Sequence, residues 1–413
     1  MSPSATRLDR RMTPRPLLGH LASAIGLWLS SRAGLTSLPA ALPPWSAAPG
    51  QKEDLQAKLA AEIQEFGPER VAAALDRLLR RRAAGFLDGL EAYRRHPFRR
   101  APPRLPVRWR HGAARLIDYG VGAADPVVLL VPSLINRYYI LDLLRERSFA
   151  RHLAAAGLRP LVLDWGEPGR IERDFTLGDY IGGPLDAAVA AAAALTGRPV
   201  ALLGYCMGGL LALAAALRRP NEIAALALLA TPWDFHAERP AQAQLLGSLV
   251  EWLPLFLDDG AALPVPVIQS LFLALDPFLA ERKFVRFAGL DPGSEAARGF
   301  VALEDWINDG VPLARRVALE CARSWYRDND PGRGLWQVAG HPVRPREVRV
   351  PALVVLPSRD RIVPPRSAQP LASAIPDATV LRPPFGHIGM MTSEAAPEAV
   401  WRPIADWLRA QFP

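Results

Sequence analysis

Past Pro106 the apolar positions gather in short runs: Arg115 to Tyr119, Val127 to Val131, Pro160 to Asp164, Val200 to Leu203, Ala224 to Ala230, Ala352 to Leu356 and Thr379 to Leu381. Runs bounded by Gly and Pro, apolar throughout rather than alternating, are the mark of strands covered on both faces of a parallel sheet. Ala-rich stretches of helical length lie between them, such as Asp179 to Leu195 and Gly208 to Arg218. The pattern predicts an α/β protein with a mostly parallel, doubly wound sheet. The alternation stops between about residues 232 and 309, where apolar helical stretches appear at Leu245 to Leu257 and Pro266 to Leu279. An insertion there would sit over the carboxyl ends of the strands, and it reads as a helical cap.

Residues 1 to 105 read as an N-terminal helical extension, leaving 106 to 413 for the α/β domain and its insertion. Apolar positions recur at helical spacing from Lys52 to Tyr93, between Pro-rich stretches at Pro39 to Pro49 and His96 to Pro106. From Leu17 to Ser31 the apolar run is shorter than the ~20 residues a membrane-spanning helix needs, so no integral span is expected. An amphipathic helix that docks on the body or on a hydrophobic surface is preferred there to a signal peptide.

Composition narrows the class without setting the function. Half of the 413 residues are hydrophobic and 22% are charged, which excludes a disordered, collagenous or coiled-coil chain. The net charge of +8 is carried almost wholly by Arg, with Lys only at 52, 58 and 283, as GC-rich codon usage would produce. Runs such as Arg80-Arg81-Arg82 lack aromatic interleaving and read as a solvated face, so no nucleic acid partner is expected. Two cysteines, Cys206 and Cys321, cannot build a disulfide framework, and a reducing, cytoplasmic setting follows.

The chemistry concentrates where the run Val200 to Leu203 meets a helix through Gly204-Tyr205-Cys206-Met207-Gly208-Gly209. In a nucleophile elbow the central residue holds a strained conformation, and glycines two before and two after it keep neighbouring chains apart. Cys206 occupies that place, at a helix start whose free N–H groups favour a thiolate. A thiolate nucleophile needs a base, and the base an orienting carboxylate. Asp360 follows the run ending at Leu356, and His387 lies in the Gly-lined loop after the last strand, in the order nucleophile, acid, histidine. The other six histidines lack this placement, and Cys321 reads as a packed thiol. The oxyanion hole is expected from the Met207 N–H and from Leu134 or Ile135, in the loop after Val127 to Val131.

Several separated segments make the chain resemble the polyhydroxyalkanoate synthases. They are Val131 to Leu143, with Asn136-Arg137-Tyr138-Tyr139-Ile140-Leu141-Asp142-Leu143 at its heart, then Gly178-Asp179-Tyr180, Gly204 to Gly209, Thr231 to Phe235, Asp360 to Pro365 and Gly386 to Gly389. The resemblance covers about Pro106 to the C-terminus. It implies an α/β-hydrolase fold with a Cys-His-Asp triad that polymerises hydroxyacyl-CoA thioesters into polyester. By that match Cys206 would carry the growing acyl chain, His387 would activate it, and Asp360 would assist His387 or the monomer hydroxyl.

The same triad with water as acceptor would make a polyester depolymerase, thioesterase or esterase, and that hydrolytic reading stands as the alternative. No cofactor is expected, since no metal or nucleotide motif is visible and Gly208-Gly209 lacks dinucleotide-site spacing. The expected partners are the hydroxyacyl-CoA substrate and the polyester product, with a granule surface and a second copy of the chain as the macromolecular contacts to look for.

Overall fold

A computed structural model describes residues 11, 14–36, 51–120, 126–238, 240–258, 261–274 and 276–412; the stretch Pro39 to Pro49 lies outside them. The chain divides into two units, one holding residues through Phe98 with Gln269–Asn308, the other Arg99–Ile268 with Asp309–Pro413.

The larger unit is built on eight strands: β1 (Val107–His111), β2 (Ala114–Asp118), β3 (Val127–Val131), β4 (Arg159–Asp164), β5 (Val200–Tyr205), β6 (Ile223–Leu229), β7 (Ala352–Val355) and β8 (Thr379–Leu381). They lie side by side in the order β1-β2-β4-β3-β5-β6-β7-β8. Only β1 with β2 and β2 with β4 run antiparallel. Every residue of β3 and β5 is buried, as strands covered on both faces must be. All seven apolar runs form strands. The eighth, β1, escaped the pattern because its sequence Val-Arg-Trp-Arg-His is half-exposed edge, with arginines turned outward.

Register matters most for function. Val131 of β3 pairs with Gly204 of β5, Tyr205 with Leu229 of β6, Leu229 with Val355 of β7, and Val355 with Leu381 of β8. Five parallel strands therefore end level, and the loops after them leave from one edge. The helix expected from Asp179 to Leu195 begins at Leu177 behind a capping box made by Thr176 and Asp179. It widens to a π-helical turn at Ile181–Leu185, where Pro184 offers no N–H, and continues as Asp186–Ala194.

The stretch Leu245 to Leu257 is two helices, Pro240–Gly247 and Leu249–Phe256, rather than one. Gly247 sits so close to Arg327 that a Cβ would lie 2.8 Å from the Arg327 Cα.

The smaller unit is helical. Lys52 to Tyr93 is broken at Gly67, whose φ of 81° no other residue adopts comfortably, into Gln51–Phe66 and Pro68–Arg95. Helix Leu279–Ala288 crosses Pro68–Arg95 at Gly89, where a Cβ would stand 2.7 Å from the Phe284 carbonyl carbon. Around that crossing Phe86, Leu90, Tyr93, Phe284, Phe287 and Val301 form a core of their own, joined by Ala24 of helix Leu17–Thr36. The later half of the insertion thus groups with the N-terminal helices, an association the sequence reading did not contain. No helix among the described residues is long and apolar enough to cross a membrane.

Candidate active site

β5 ends in a turn that the glycines alone make feasible. A Cβ on Gly204 would lie 2.7 Å from the Gly209 nitrogen, and one on Gly209 would lie 2.8 Å from the Thr231 Cβ. Cys206 takes φ 57°, ψ −127°, a region that side-chain-bearing residues rarely enter, and caps helix Met207–Arg218. Two bonds hold the strain in place: the Cys206 N–H donates to the Leu229 carbonyl (2.8 Å), and the Gly209 N–H donates to the Cys206 carbonyl (2.9 Å). The Met207 N–H, first in the helix, has no intrahelical acceptor.

Asp360 and His387 come from the loops after β7 and β8, and both are buried. One oxygen of Asp360 accepts from the backbone N–H groups of Ile362 (2.8 Å) and Val363 (2.9 Å), which fixes the carboxylate plane. Its other oxygen meets His387 Nδ1 at 2.7 Å. Cys206 lies near enough to His387 for its charge to act on the imidazole. With Nδ1 taken by Asp360, Nε2 is the nitrogen left for the thiol. Burial by itself would lower the His387 pKa, but the charges of Cys206 and Asp360 outweigh it and push the value up to about 10. The structure thus brings the three residues that the sequence singled out to one place, with His387 hydrogen-bonded to Asp360 and under the influence of Cys206.

Of the two amides expected in the loop after β3, one is engaged: the Ile135 N–H donates to Ser133 Oγ at 3.2 Å, while Leu134 N–H has no acceptor among the described residues. The loop is pinned at both ends. Trp165 Nε1 donates to the Pro132 carbonyl (3.0 Å), and Val311 N–H donates to the Ile135 carbonyl (3.0 Å). Gly208 presses against the same segment, with space for no Cβ beside the Val131 and Pro132 carbonyls. Helix start and loop backbone are in this way locked together.

Sequence reasoning missed Tyr205. Its ring stacks on His387 with centroids 5.1 Å apart, and its hydroxyl donates to the His387 carbonyl at 3.1 Å. The signal was present, since the residue before Cys206 sits on the last rung of β5, beside the strands that deliver Asp360 and His387. Cys321 lies in a π-helical turn, Cys321–Arg327, packed against the core, and burial pushes its thiol pKa up. Among the described residues no group of three His, Cys, Asp or Glu is placed to hold a metal ion.

Residues 126–394 match the model of the α/β hydrolase fold. The chain is 31% identical over 296 residues to the poly(3-hydroxyalkanoate) polymerase subunit PhaC of Allochromatium vinosum, covering 70% of this chain and 82% of that protein. It is 30% identical to the namesake from Thiocystis violacea, with the same two coverages. Among solved structures, a hydrolase from Pseudomonas aeruginosa PA01 aligns over 75% of this chain and 99% of its own, at 19% identity and a TM-score of 0.47. By its sheet, by its family match and by its relatives, the chain belongs to the α/β hydrolases and, within them, to the poly(3-hydroxyalkanoate) polymerases.

Proposed function

We propose that the chain is an acyltransferase that polymerises hydroxyacyl-CoA thioesters into a polyhydroxyalkanoate, through a triad of Cys206, His387 and Asp360. The observation that carries the reading is the gathering of Cys206, His387 and Asp360 at the level edge of the sheet, with His387 bonded to Asp360, in a relative of polymerases.

In this mechanism Cys206 reacts as a thiolate partnered by the imidazolium of His387, whose pKa is raised. Cys206 Sγ attacks the thioester carbonyl carbon, and the oxygen that gains charge is received by the N–H groups of Leu134 and Met207. As the carbonyl re-forms, the bond to the CoA sulfur breaks, and that sulfur leaves with the proton from His387. An acyl-Cys206 ester of sulfur and a neutral imidazole remain. The hydroxyl of another hydroxyacyl unit then gives its proton to His387 while its oxygen attacks the acyl carbon. The bond to Cys206 Sγ breaks, an oxygen ester is made, and the thiolate and imidazolium pair is restored. Asp360 holds the imidazole by Nδ1 throughout.

The test is purified protein with 3-hydroxybutyryl-CoA, with release of the CoA thiol followed by a colour reagent and the product separated into polymer and free acid. Polymer made by the wild type and not by Cys206→Ala is the expected result. Free hydroxyacid as the sole product would replace the polymerase reading with the hydrolytic one.

A further inference from the structure

Among the described residues one donor reaches the main-chain carbonyl of His387, the hydroxyl of Tyr205 at 3.1 Å. The Tyr205 ring lies on the imidazole at the same time, with centroids 5.1 Å apart and planes 30° from parallel. One side chain therefore grips the histidine at two points, its main chain and its ring.

Tyr205 is fixed by its own surroundings. It occupies the last rung of β5, paired with Leu229 of β6, and only 3% of it is exposed. A side chain planted on a central strand and packed on every side keeps one rotamer. It is also the residue bonded directly to Cys206, so the nucleophile and the group that grips its base share one peptide link. Asp360 holds the opposite side of the ring, meeting Nδ1 at 2.7 Å. A single hydrogen bond at Nδ1 leaves the imidazole free to tilt about that bond, and a flat surface against its face removes the tilt. An aromatic face within about 6 Å also favours a cation lying on it, so the stack suits the charged imidazole. The charges that act on His387 are those of Cys206 and Asp360. Burial pushes the Tyr205 pKa well up, so its phenol stays a neutral donor beside them.

We infer that Tyr205 is a positioning residue, which by stacking on the ring of His387 and holding its carbonyl keeps Nε2 turned toward Cys206. The inference rests on the proposed pairing of Cys206 with His387, and on neither the acceptor nor the product of the reaction. Tyr205 acts through His387, so its loss falls on the steps that use the imidazole and leaves substrate binding alone.

The test measures alkylation of Cys206 by iodoacetamide, read by mass spectrometry of the Cys206 peptide, across the pH range in the wild type, Tyr205→Phe, Tyr205→Leu and His387→Gln. The kcat and KM for 3-hydroxybutyryl-CoA are measured beside it. Near pH 7, labelling of Tyr205→Leu should be slowed about tenfold, and that of Tyr205→Phe, which keeps the stack and loses only the hydroxyl, about threefold. At about pH 10.5 a thiol ionises unaided, and all four proteins should be labelled alike. The kcat should fall in the same order, with KM within about twofold of wild type. A merely structural role would lower the melting temperature and leave the pH profile of labelling where it is in the wild type. Wild-type profiles in both Tyr205 variants, with His387→Gln slowed near pH 7, overturn the inference and leave the pairing of Cys206 with His387 intact. A wild-type profile in His387→Gln overturns the pairing and the inference with it. Should Tyr205→Leu fail to fold, Tyr205→Phe decides: a slowed profile upholds the inference, and wild-type labelling with wild-type kcat sinks it. With free hydroxyacid as the sole product the polymerase reading falls, and slowed labelling of the Tyr205 variants upholds the inference all the same.

Discussion

Gly208→Ala is expected to cost this protein both stability and turnover, and the reason is backbone against backbone. A Cβ there would lie 2.6 Å from the Pro132 carbonyl oxygen and 2.7 Å from its carbon, with the Val131 carbonyl oxygen closer still. Those atoms cannot swing aside as a side-chain tip would, because Trp165 and Val311 pin the loop on either side. Helix propensity works in the other direction, favouring Ala over Gly by about 1 kcal/mol in a helix interior. Overpacking of a rigid contact costs about 1–3 kcal/mol and at times more. With backbone on both sides the upper part of that range applies, for a net loss of roughly 2 kcal/mol and a fall in Tm of about 4–8 °C. Separation of the helix start from the loop also pulls apart the amides of Met207 and Leu134. A misplacement of ~1 Å near reacting atoms is worth about 10²-fold in rate.

The assay is thiol release from 3-hydroxybutyryl-CoA beside a thermal melt, with Gly183→Ala as the comparison. A Cβ at Gly183 meets nothing within 4 Å, so that variant should keep its activity and melt no lower than wild type. Wild-type Tm and wild-type kcat in Gly208→Ala would refute the claim that this glycine is required by close approach.

Further outcomes follow from the same geometry. Cys206→Ala should abolish turnover and Cys206→Ser should leave a trace, because an alcohol is far less ionised than a thiol at the same helix start; full activity in the Ala variant would remove Cys206 from the reaction. Asp360→Asn should lower kcat by about 10³–10⁴-fold, since an amide cannot both accept from Ile362 and Val363 and hold the Nδ1–H tautomer of His387; a loss under tenfold would contradict that role. His387 carries a pKa raised from 6.5 to about 10, so the stability it contributes is fully present below pH 6.5 and is lost as pH rises through about 10. The destabilisation caused by His387→Gln, measured by denaturant titration, should accordingly be larger at pH 7 than at pH 10.5, and a pH-independent penalty would count against the charged pair. Cys321→Ser should leave kcat nearly unchanged, and a loss as large as that of Cys206→Ala would point to a second working thiol.

The sheet and the three polar residues at its edge were legible because each leaves a local mark. Strands covered on both faces have to be apolar at every position, as β3 and β5 are. The tight turn at Cys206 needs residues without side chains two places before and two after it, as Gly204 and Gly208 are. An acid and a histidine placed just past the last two strands are brought to the nucleophile by parallel register alone. β1 was hidden because an edge strand answers to solvent on one side, and its arginines break the apolar run.

Other features depend on what meets what across long stretches of chain, and no local pattern records that. Ile135 and Leu134 are equivalent donors in the sequence, and the choice between them falls to Ser133 Oγ, which takes the Ile135 amide. An apolar helix face says that something covers it without saying what. Phe284 and Phe287 pack with Phe86 and Tyr93, nearly two hundred positions earlier. Tyr205 became part of the site only when β7 and β8 carried their loops to the end of β5, because stacking on His387 is a property of the assembled edge and of no segment taken alone.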